Sequence, residues 1–120
     1  MRRWEVWELK QDEARNQTDP QQPNDASKPR RFYVIVSPDA FLRTSDVVVC
    51  IPIQTFSDGT SFSVLVHGKP SPAGIPYNSY ARGTDYDTLK KSLFSRCLGR
   101  LTQSEIKNLE FAMREYFQFF

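Results

Sequence analysis

The chain has 120 residues, of which 39% are hydrophobic and 13% aromatic, and its net charge is +2. This length supports one hydrophobic core, and a subunit partner would add to the stability of so small a domain. The composition excludes an intrinsically disordered protein, and no apolar run has the length of a transmembrane helix. We expect a single domain over residues 1–120 that resides in the cytoplasm, because its first residues carry no signal-peptide pattern.

The sequence has two cysteines, Cys50 and Cys97, and one histidine, His67. Their spacing matches no metal-binding motif, so no metal and no cofactor are expected. We interpret the cysteines as unpaired thiols, as is usual in a reducing compartment. A single histidine cannot be both members of an acid and base pair, so a catalytic role for His67 is not expected.

Positive charge is concentrated in the middle of the chain. From Lys28 to Arg100 there are ten Lys or Arg residues and five Asp or Glu residues, whereas the rest of the chain has six and nine. Such an uneven distribution suits a central face that binds a polyanion.

The first predicted strand is Trp4–Leu9, in which apolar and acidic residues alternate with a period of two. The segment Lys10–Pro29 is almost entirely polar and contains three prolines. It buries too little apolar surface to offset its ordering entropy, so it predicts a long mobile loop at about residues 10–30.

Two continuous apolar runs, Phe32–Val36 and Asp46–Ile51, predict central strands that are buried on both faces. Pro52 has no N–H group and therefore ends ladder pairing on at least one side. After a turn, the alternation over Ser61–Val66 predicts another strand. The segment Gly68–Tyr80 is rich in Pro, Gly and Ser and predicts a second loop.

The C-terminal part of the chain predicts a helix. Thr102 and Glu105 have the spacing of a capping box. Apolar residues then recur every three or four positions, which is typical of an amphipathic helix of roughly four turns. They are Ile106, Leu109, Met113, Tyr116 and Phe117. Short strands followed by one helix favour a mainly β fold with α, a small SH3-like curved sheet or barrel closed by the C-terminal helix.

Three segments in fixed order resemble motifs of the PemK/MazF family of bacterial toxin endoribonucleases. These segments are Arg31–Ser37, Pro52–Thr55 and Leu98–Thr102. A further segment, Trp4–Trp7, is similar to the first strand of the family but lacks its glycine. The resemblance spans roughly residues 4–117 and is weak in the two polar loops.

The resemblance implies a metal-independent reaction on RNA. The 2′-hydroxyl group attacks the adjacent phosphate, which leaves a 2′,3′-cyclic phosphate and a free 5′-hydroxyl. Negative charge on the phosphorane must be stabilised, and a planar guanidinium does so with two hydrogen bonds. Arg31 matches the arginine that opens the second strand of the family, so it is the first candidate catalytic residue.

Four further residues are candidates for catalysis. The family has a threonine near the scissile phosphate, and in this chain Gln54 stands at that position and Thr55 follows it. The amide of Gln54 can donate to phosphate, although it does not reproduce the position of a short hydroxyl. Arg82 and Asp85 resemble, with an uncertainty of one residue, the arginine and aspartate that act as general acid and base in some members.

Binding of single-stranded RNA is expected to use basic side chains and aromatic rings. Basic side chains neutralise phosphates, and rings stack on bases. The candidate residues are Lys28, Arg30, Lys90 and Lys91 for the phosphates, and Tyr77, Tyr80 and Tyr86 for the bases.

As a whole, the resemblance implies a toxin that cleaves single-stranded mRNA and is neutralised by a cognate antitoxin protein. The small domain and its apolar C-terminal helix favour a homodimer. The alternative is a non-catalytic module of the same fold that binds nucleic acid or protein. Gln54 and the missing glycine of the first strand favour this alternative. Arg31, Arg82, Asp85 and the basic middle of the chain favour the ribonuclease.

Overall fold

The computed structural model describes residues 1–10 and 30–118. Apart from Lys10, the predicted mobile loop lies outside the described residues. Within them the chain forms β1 (Glu5–Leu9), β2 (Phe32–Ile35), α1 (Asp39–Leu42), β3 (Val47–Gln54), β4 (Ser63–Val66), β5 (Ser79–Arg82), β6 (Asp87–Lys90), a 3-10 turn (Lys91–Leu93), β7 (Phe94–Arg100) and α2 (Gln103–Phe117).

The strands form one antiparallel sheet. Their order is β4, β5, β3, β2, β1 and β7, and β6 pairs with β3 as a branch. Within the described residues β4 and β7 lie at opposite ends of this order, so the sheet is open rather than a closed barrel. Helix α2 packs against β4 and β5. The predicted fold class, a small mainly β sheet with a C-terminal helix, is confirmed.

β3 is the central strand because it has three neighbours. One of its edges pairs with β2, and the other pairs first with β6 over Val47–Cys50 and then with β5 over Ile53–Gln54. Pro52 lies in the gap between these two stretches. Because the ladder is already interrupted there, the missing N–H group of proline is tolerated. The strand therefore continues past Pro52 and ends at Gln54.

Both faces of the central sheet are buried, as the continuous apolar runs predict. Val34 packs in a cluster that includes Leu109 of α2, whereas Tyr33 and Cys50 pack in a second cluster with Leu42. Burial of an aliphatic side chain in either core is worth about 1.5–3 kcal/mol. Neighbouring side chains of β2 thus point into different cores. A shift of the strand by one residue would place each side chain in the wrong core, so the register of β2 is fixed up to its N-terminal end.

Trp4, at the entrance to β1, has a φ of +72°, in the left-handed region that favours glycine. This conformation costs an L-residue roughly 1–2 kcal/mol. Its N–H group donates to the carbonyl of Ile35 at 2.7 Å, and its carbonyl accepts from the N–H group of Leu101 at 3.0 Å. The indole is buried in the core. These contacts explain how the segment tolerates the absence of a glycine.

The region between residues 79 and 102 contains more strand than the sequence predicts. β5 begins at the end of the predicted second loop, and Leu98–Arg100, the first part of the third family motif, belongs to β7. A Cβ atom on Gly99 would collide with the carbonyl oxygen of Pro72, so only glycine permits this close approach. The N–H group of Arg100 donates to the same oxygen at 3.0 Å.

The predicted capping box is confirmed at the start of α2. The side chain of Thr102 accepts a hydrogen bond from the N–H group of Glu105 at 3.2 Å, and the Glu105 carboxylate accepts from the N–H group of Thr102 at 2.8 Å. The second oxygen of Glu105 accepts from the N–H group of His67 at 2.7 Å. Glu105 therefore links the residue after β4 to the start of α2. The contact of His67 with Glu105 is structural.

Candidate active site

A cavity of about 420 Å³ lies where β2 begins and β3 ends. Tyr33 of β2 is opposite Pro52 of β3, so continuing this antiparallel register places Arg31 opposite Gln54. Gln54 also pairs with Tyr80 of β5. The walls of the cavity are formed by Arg30, Arg31, Phe32, Tyr33, Pro52, Ile53, Gln54, Thr55, Phe56, Tyr77 and Ser79.

Three of the five predicted catalytic residues, Arg31, Gln54 and Thr55, therefore line the same cavity. The Nε atom of Arg31 is buried and has no hydrogen-bond partner among the described residues. Leaving a buried donor unpaired costs about 1–3 kcal/mol. The Nε atoms of Arg3 and Arg82 are likewise buried without a hydrogen-bond partner among the described residues, so this feature does not single out Arg31. The permanent positive charge of Arg31 in the cavity wall is what suits the site to an oxyanion.

Tyr33 of β2 forms a side-chain hydrogen bond with Arg31, which directly precedes that strand. Its ring is buried and meets Phe94 edge-on, with ring centroids 5.9 Å apart. Burial raises the pKa of Tyr33, Asp87 adds to this increase, and Arg31 acts in the opposite direction by charge and by a side-chain hydrogen bond. A neutral phenol thus positions the guanidinium of Arg31 without cancelling its charge.

Arg30, the neighbouring arginine, is held by a carboxylate. Its Nε and Nη2 atoms donate to the two oxygens of Glu8 at 2.6 and 2.8 Å, and its guanidinium lies over the ring of Phe32 at 4.8 Å. Arg96 donates to Glu8 at 3.0 Å. These arginines, Arg30 foremost, outweigh the effect of burial and lower the pKa of Glu8. The pKa of Arg30 is raised chiefly by its hydrogen bonds with Glu8.

Arg82 and Asp85, the other two predicted catalytic residues, are not among the residues that line this cavity. Arg82 Nη1 donates to Asp85 at 3.3 Å, and Arg82 Nε lies 3.8 Å from a carboxylate oxygen of Asp58. Asp58 also accepts hydrogen bonds from Ser63 and Thr60, which, with a smaller contribution from Arg82, lower its pKa to about 2. The catalytic roles of Arg82 and Asp85 stay predictions.

The predicted RNA-binding residues are distributed over several surfaces. Arg30 and Tyr77 line the cavity, and Tyr80 is beside it through its pairing with Gln54. Lys90 and Lys91 border a different depression, where the ammonium group of Lys91 donates to the carbonyl of Leu42. Lys28 lies outside the described residues.

Tyr86, which directly precedes β6, packs in an aromatic cluster with two residues of α2. Its ring packs against Tyr116 and Phe117, with centroids 6.4 and 5.3 Å away, and its hydroxyl donates to the carbonyl of Gly83 at 2.6 Å. Burial, together with Tyr116 and Asp85, raises the pKa of Tyr86 to about 12. Tyr86 is therefore a packing residue of this cluster and does not line the cavity.

Three residues of the site or its support, Glu8, Tyr33 and Phe56, were not predicted. The alternation in β1 suggests a solvent-facing Glu8, but its side chain is only 10% exposed because two arginines cover it. Phe56 follows Thr55 directly and precedes a polar turn, which is an unusual place for a phenylalanine. A phenylalanine in this polar stretch is the sequence feature that could have identified Phe56 as a site residue.

The described lining contains no carboxylate and no imidazole. It offers cationic and hydrogen-bond-donating groups, which suit stabilisation of a negatively charged substrate more than proton transfer between a pair of titrating side chains. Among residues 1–10 and 30–118, no cluster of three or more His, Cys, Asp or Glu side chains has the arrangement of a metal site. None of the helices in this part of the chain has the length and apolarity needed to cross a membrane.

Several solved structures share this fold. An endoribonuclease in complex with its cognate antitoxin from a mycobacterial species is 19% identical, with a TM-score of 0.71, covering 98% of this chain and 95% of that one. The Mycobacterium tuberculosis toxin MazF-mt6 is 21% identical, with a TM-score of 0.67 and coverages of 76% and 89%. A MazE–MazF structure from Deinococcus radiodurans is 14% identical, with a TM-score of 0.72 and coverages of 100% and 97%.

At these identities the structures establish the fold alone, and no curated protein matches the sequence. The family is established by a sequence model. The model of the PemK-like, MazF-like toxins of type II toxin–antitoxin systems matches residues 2–117, which is nearly the whole chain. The chain therefore belongs to the family of PemK-like, MazF-like toxins.

Proposed function

We propose that this toxin is a metal-independent endoribonuclease that cleaves single-stranded mRNA in the cytoplasm. The observation that carries the proposal is the position of the Arg31 guanidinium, a permanent cation, in the wall of a cavity shared with Gln54 and Thr55. Family membership and the endoribonucleases among the solved structures of this fold support the same activity.

In the proposed reaction, the 2′-oxygen of a ribose forms a bond to the adjacent phosphorus, and the bond from phosphorus to the 5′-oxygen breaks. The 2′-hydroxyl gives up its proton to solvent, and the leaving 5′-oxygen takes one up. Arg31 binds the equatorial oxygens, where charge increases in the transition state. The amide of Gln54 and the hydroxyl of Thr55 donate to the same phosphate.

Gln54 leaves a second candidate function, a non-catalytic module that binds RNA in this cavity. An amide at the position of the family threonine places its donor further from the backbone than a hydroxyl does. Binding requires only the cationic cavity, whereas cleavage requires a donor aligned with the phosphorane. The two functions differ in whether RNA is cut, and not in whether it is bound.

We also propose two protein partners, a cognate antitoxin and a second copy of the chain. Family membership and the antitoxin complexes among the similar structures support the first. An apolar groove between α1 and α2 supports a protein contact, because Phe41, Tyr116 and Phe117 are each nearly half exposed there. Sedimentation velocity at micromolar concentration measures the oligomeric state, and a monomer would contradict the dimer.

The test of the proposed activity is incubation of the purified protein with long single-stranded RNA in EDTA. We expect discrete fragments that carry a 2′,3′-cyclic phosphate and a 5′-hydroxyl. Strict dependence on Mg²⁺, or 5′-phosphate ends, would contradict the proposed reaction. RNA that is bound but remains uncut would favour the binding module.

A further inference from the structure

Two aromatic side chains at the rim of the cavity are largely exposed to solvent and do not pack in the core. The side chain of Phe56 is 69% exposed and that of Tyr77 is 58% exposed, and both line the cavity that contains Arg31. Within the described residues neither ring stacks on another ring, whereas Tyr86, Tyr116 and Phe117 pack on one another. An exposed apolar ring beside a polar site is typical of a binding surface.

The backbone of Tyr77 is held in place although its ring is exposed. Gly68 packs so closely against the backbone of Tyr77 that a Cβ atom on Gly68 would collide with it. On either side of this contact, the N–H group of Gly68 donates to the side chain of Asn78 at 2.9 Å, and the hydroxyl of Ser79 donates to the carbonyl of Tyr77 at 3.1 Å. A ring on a fixed backbone loses little entropy when it binds a ligand.

The loop that follows Phe56 is fixed at its far end. The carboxylate of Asp58 accepts hydrogen bonds from the hydroxyls of Ser63 and Thr60 at 2.6 and 2.7 Å, and it pairs with Arg82. Phe56 itself directly follows Thr55, which leaves β3 at the edge of the cavity. The backbone of Phe56 therefore lies between β3 on one side and the Asp58 turn on the other.

The charge of the cavity indicates the kind of ligand that would cover these rings. Arg31 lies in its wall beside Arg30, which is already paired with Glu8, and the described lining contains no carboxylate. A ligand with an anionic group for Arg31 and a flat apolar group for the rings would satisfy both. An unpaired nucleotide has this combination, because its phosphate is anionic and its base stacks on aromatic rings.

We propose that Phe56 and Tyr77 form a stacking subsite for one nucleobase, next to the phosphate held by Arg31. This proposal rests on the proposed function for the identity of the ligand. Because every base has a face that can stack, the rings hold a base beside the cleaved bond and do not choose its identity. Phe56 is a residue that the family motifs considered above do not include.

The test uses a probe that cannot be cleaved, a mixture of 2′-O-methyl heptanucleotides with 2-aminopurine at the central position. Stacking of 2-aminopurine on a ring quenches its fluorescence, so the readout reports the ring and not only the charge. We expect Phe56→Ala and Tyr77→Ala each to weaken binding by about tenfold and to reduce the quenching, since one stacked base is worth on the order of 1–3 kcal/mol. Tyr77→Phe keeps the ring and should bind like the wild type.

Phe111→Ala is the matched control, because Phe111 is 62% exposed but lies on α2 outside this cavity. Its binding and quenching should equal those of the wild type. Equal binding and quenching by wild type, Phe56→Ala and Tyr77→Ala would overturn the subsite, even if the protein cleaves RNA. Absence of binding by the wild type would also overturn it. The exposed rings would then be assigned to contact with a protein partner.

The outcome for the subsite is separable from the outcome for the enzyme. Ring-dependent quenching without any cleavage of long RNA would support the subsite and contradict the ribonuclease. If the protein is a ribonuclease, Phe56→Ala should raise the RNA concentration needed for half-maximal cleavage and leave the chemical ends of the fragments unchanged. An unchanged half-maximal concentration would contradict the role of Phe56 in holding a base.

Discussion

Two arginines of this toxin, Arg31 and Arg82, were predicted to be catalytic, and their surroundings differ. Arg31 borders an open cavity and has a neutral phenol, that of Tyr33, as a hydrogen-bond partner. Arg82 is paired with two carboxylates, Asp58 and Asp85. An arginine that already has anionic partners has less to gain from a phosphate. We therefore expect Arg31 to act on substrate and the ion pairs of Arg82 to contribute to stability.

The largest expected effect is that of Arg31→Ala on cleavage. We expect the rate to fall by about 10²–10³, the usual loss when a donor that stabilises transition-state charge is removed. The melting temperature should change little, because the Arg31 side chain is not part of either hydrophobic core. Rates under single-turnover conditions and melting curves by circular dichroism measure the two quantities. An unchanged rate would remove Arg31 from the mechanism.

Arg82→Ala should show the opposite pattern. Loss of its ion pairs releases the turn around Asp58, so we expect the melting temperature to fall by a few degrees. The cleavage rate per folded molecule should stay close to that of the wild type. Arg82→Lys is the control, since it keeps the charge and should recover part of the stability. A rate loss as large as that of Arg31→Ala would support the predicted catalytic role of Arg82 instead.

A smaller effect is expected at Glu8, which holds Arg30 at the cavity. Glu8→Gln should lower the free energy of unfolding at pH 7 by about 1 kcal/mol, a value reduced for the partial exposure of Arg30 and Arg96. The folded-state pKa of Glu8 is lowered, so its contribution is complete above its unfolded pKa, about 4.3, and disappears as the pH falls through the folded value. The difference between wild type and Glu8→Gln in urea titrations should therefore vanish in acid. A difference that does not depend on pH would contradict the ion pair.

The smallest expected effect is that of Gln54→Thr, which restores the threonine of the family. If a short hydroxyl aligns better with the phosphorane, the cleavage rate should rise about two- to tenfold, which corresponds to a net hydrogen bond of roughly 0.5–1.5 kcal/mol. Gln54→Ser serves as a second hydroxyl variant, and Gln54→Ala shows the effect of removing the amide alone. A lower rate in Gln54→Thr than in the wild type would mean that the site depends on the amide.

The sequence predicts the central part of this site well because local pattern and register determine it. The apolar run after Arg31 forms β2, and the run before Pro52 forms β3, so two buried strands bring Arg31 and Gln54 to the same place. The pairing of Arg82 with Asp58 was not predictable in this way. It depends on how a turn and a distant strand meet, and no local pattern encodes that contact.

The strands that were missed have weak local signals. In β6, Asp87–Lys90, most side chains are exposed and only Leu89 is apolar, so neither alternation nor a continuous apolar run is visible. β7 contains Gly99 and several exposed residues, and it forms because its backbone pairs with β1. Tertiary pairing determines both strands. Two residues of α2 also differ from the prediction. The helical spacing of Tyr116 and Phe117 predicts burial in the core, but in the fold both side chains are exposed.

The most direct test of the difference between the two arginines compares binding with cleavage in Arg31→Ala. A group that acts on the transition state changes the rate far more than the affinity for an unreactive ligand. The measurement is the dissociation constant for a 2′-O-methyl oligonucleotide, set beside the single-turnover cleavage rate of the matching RNA. We predict a rate loss of about 10²–10³ with an affinity loss of less than about tenfold. An affinity loss as large as the rate loss would contradict transition-state stabilisation and make Arg31 a binding residue only.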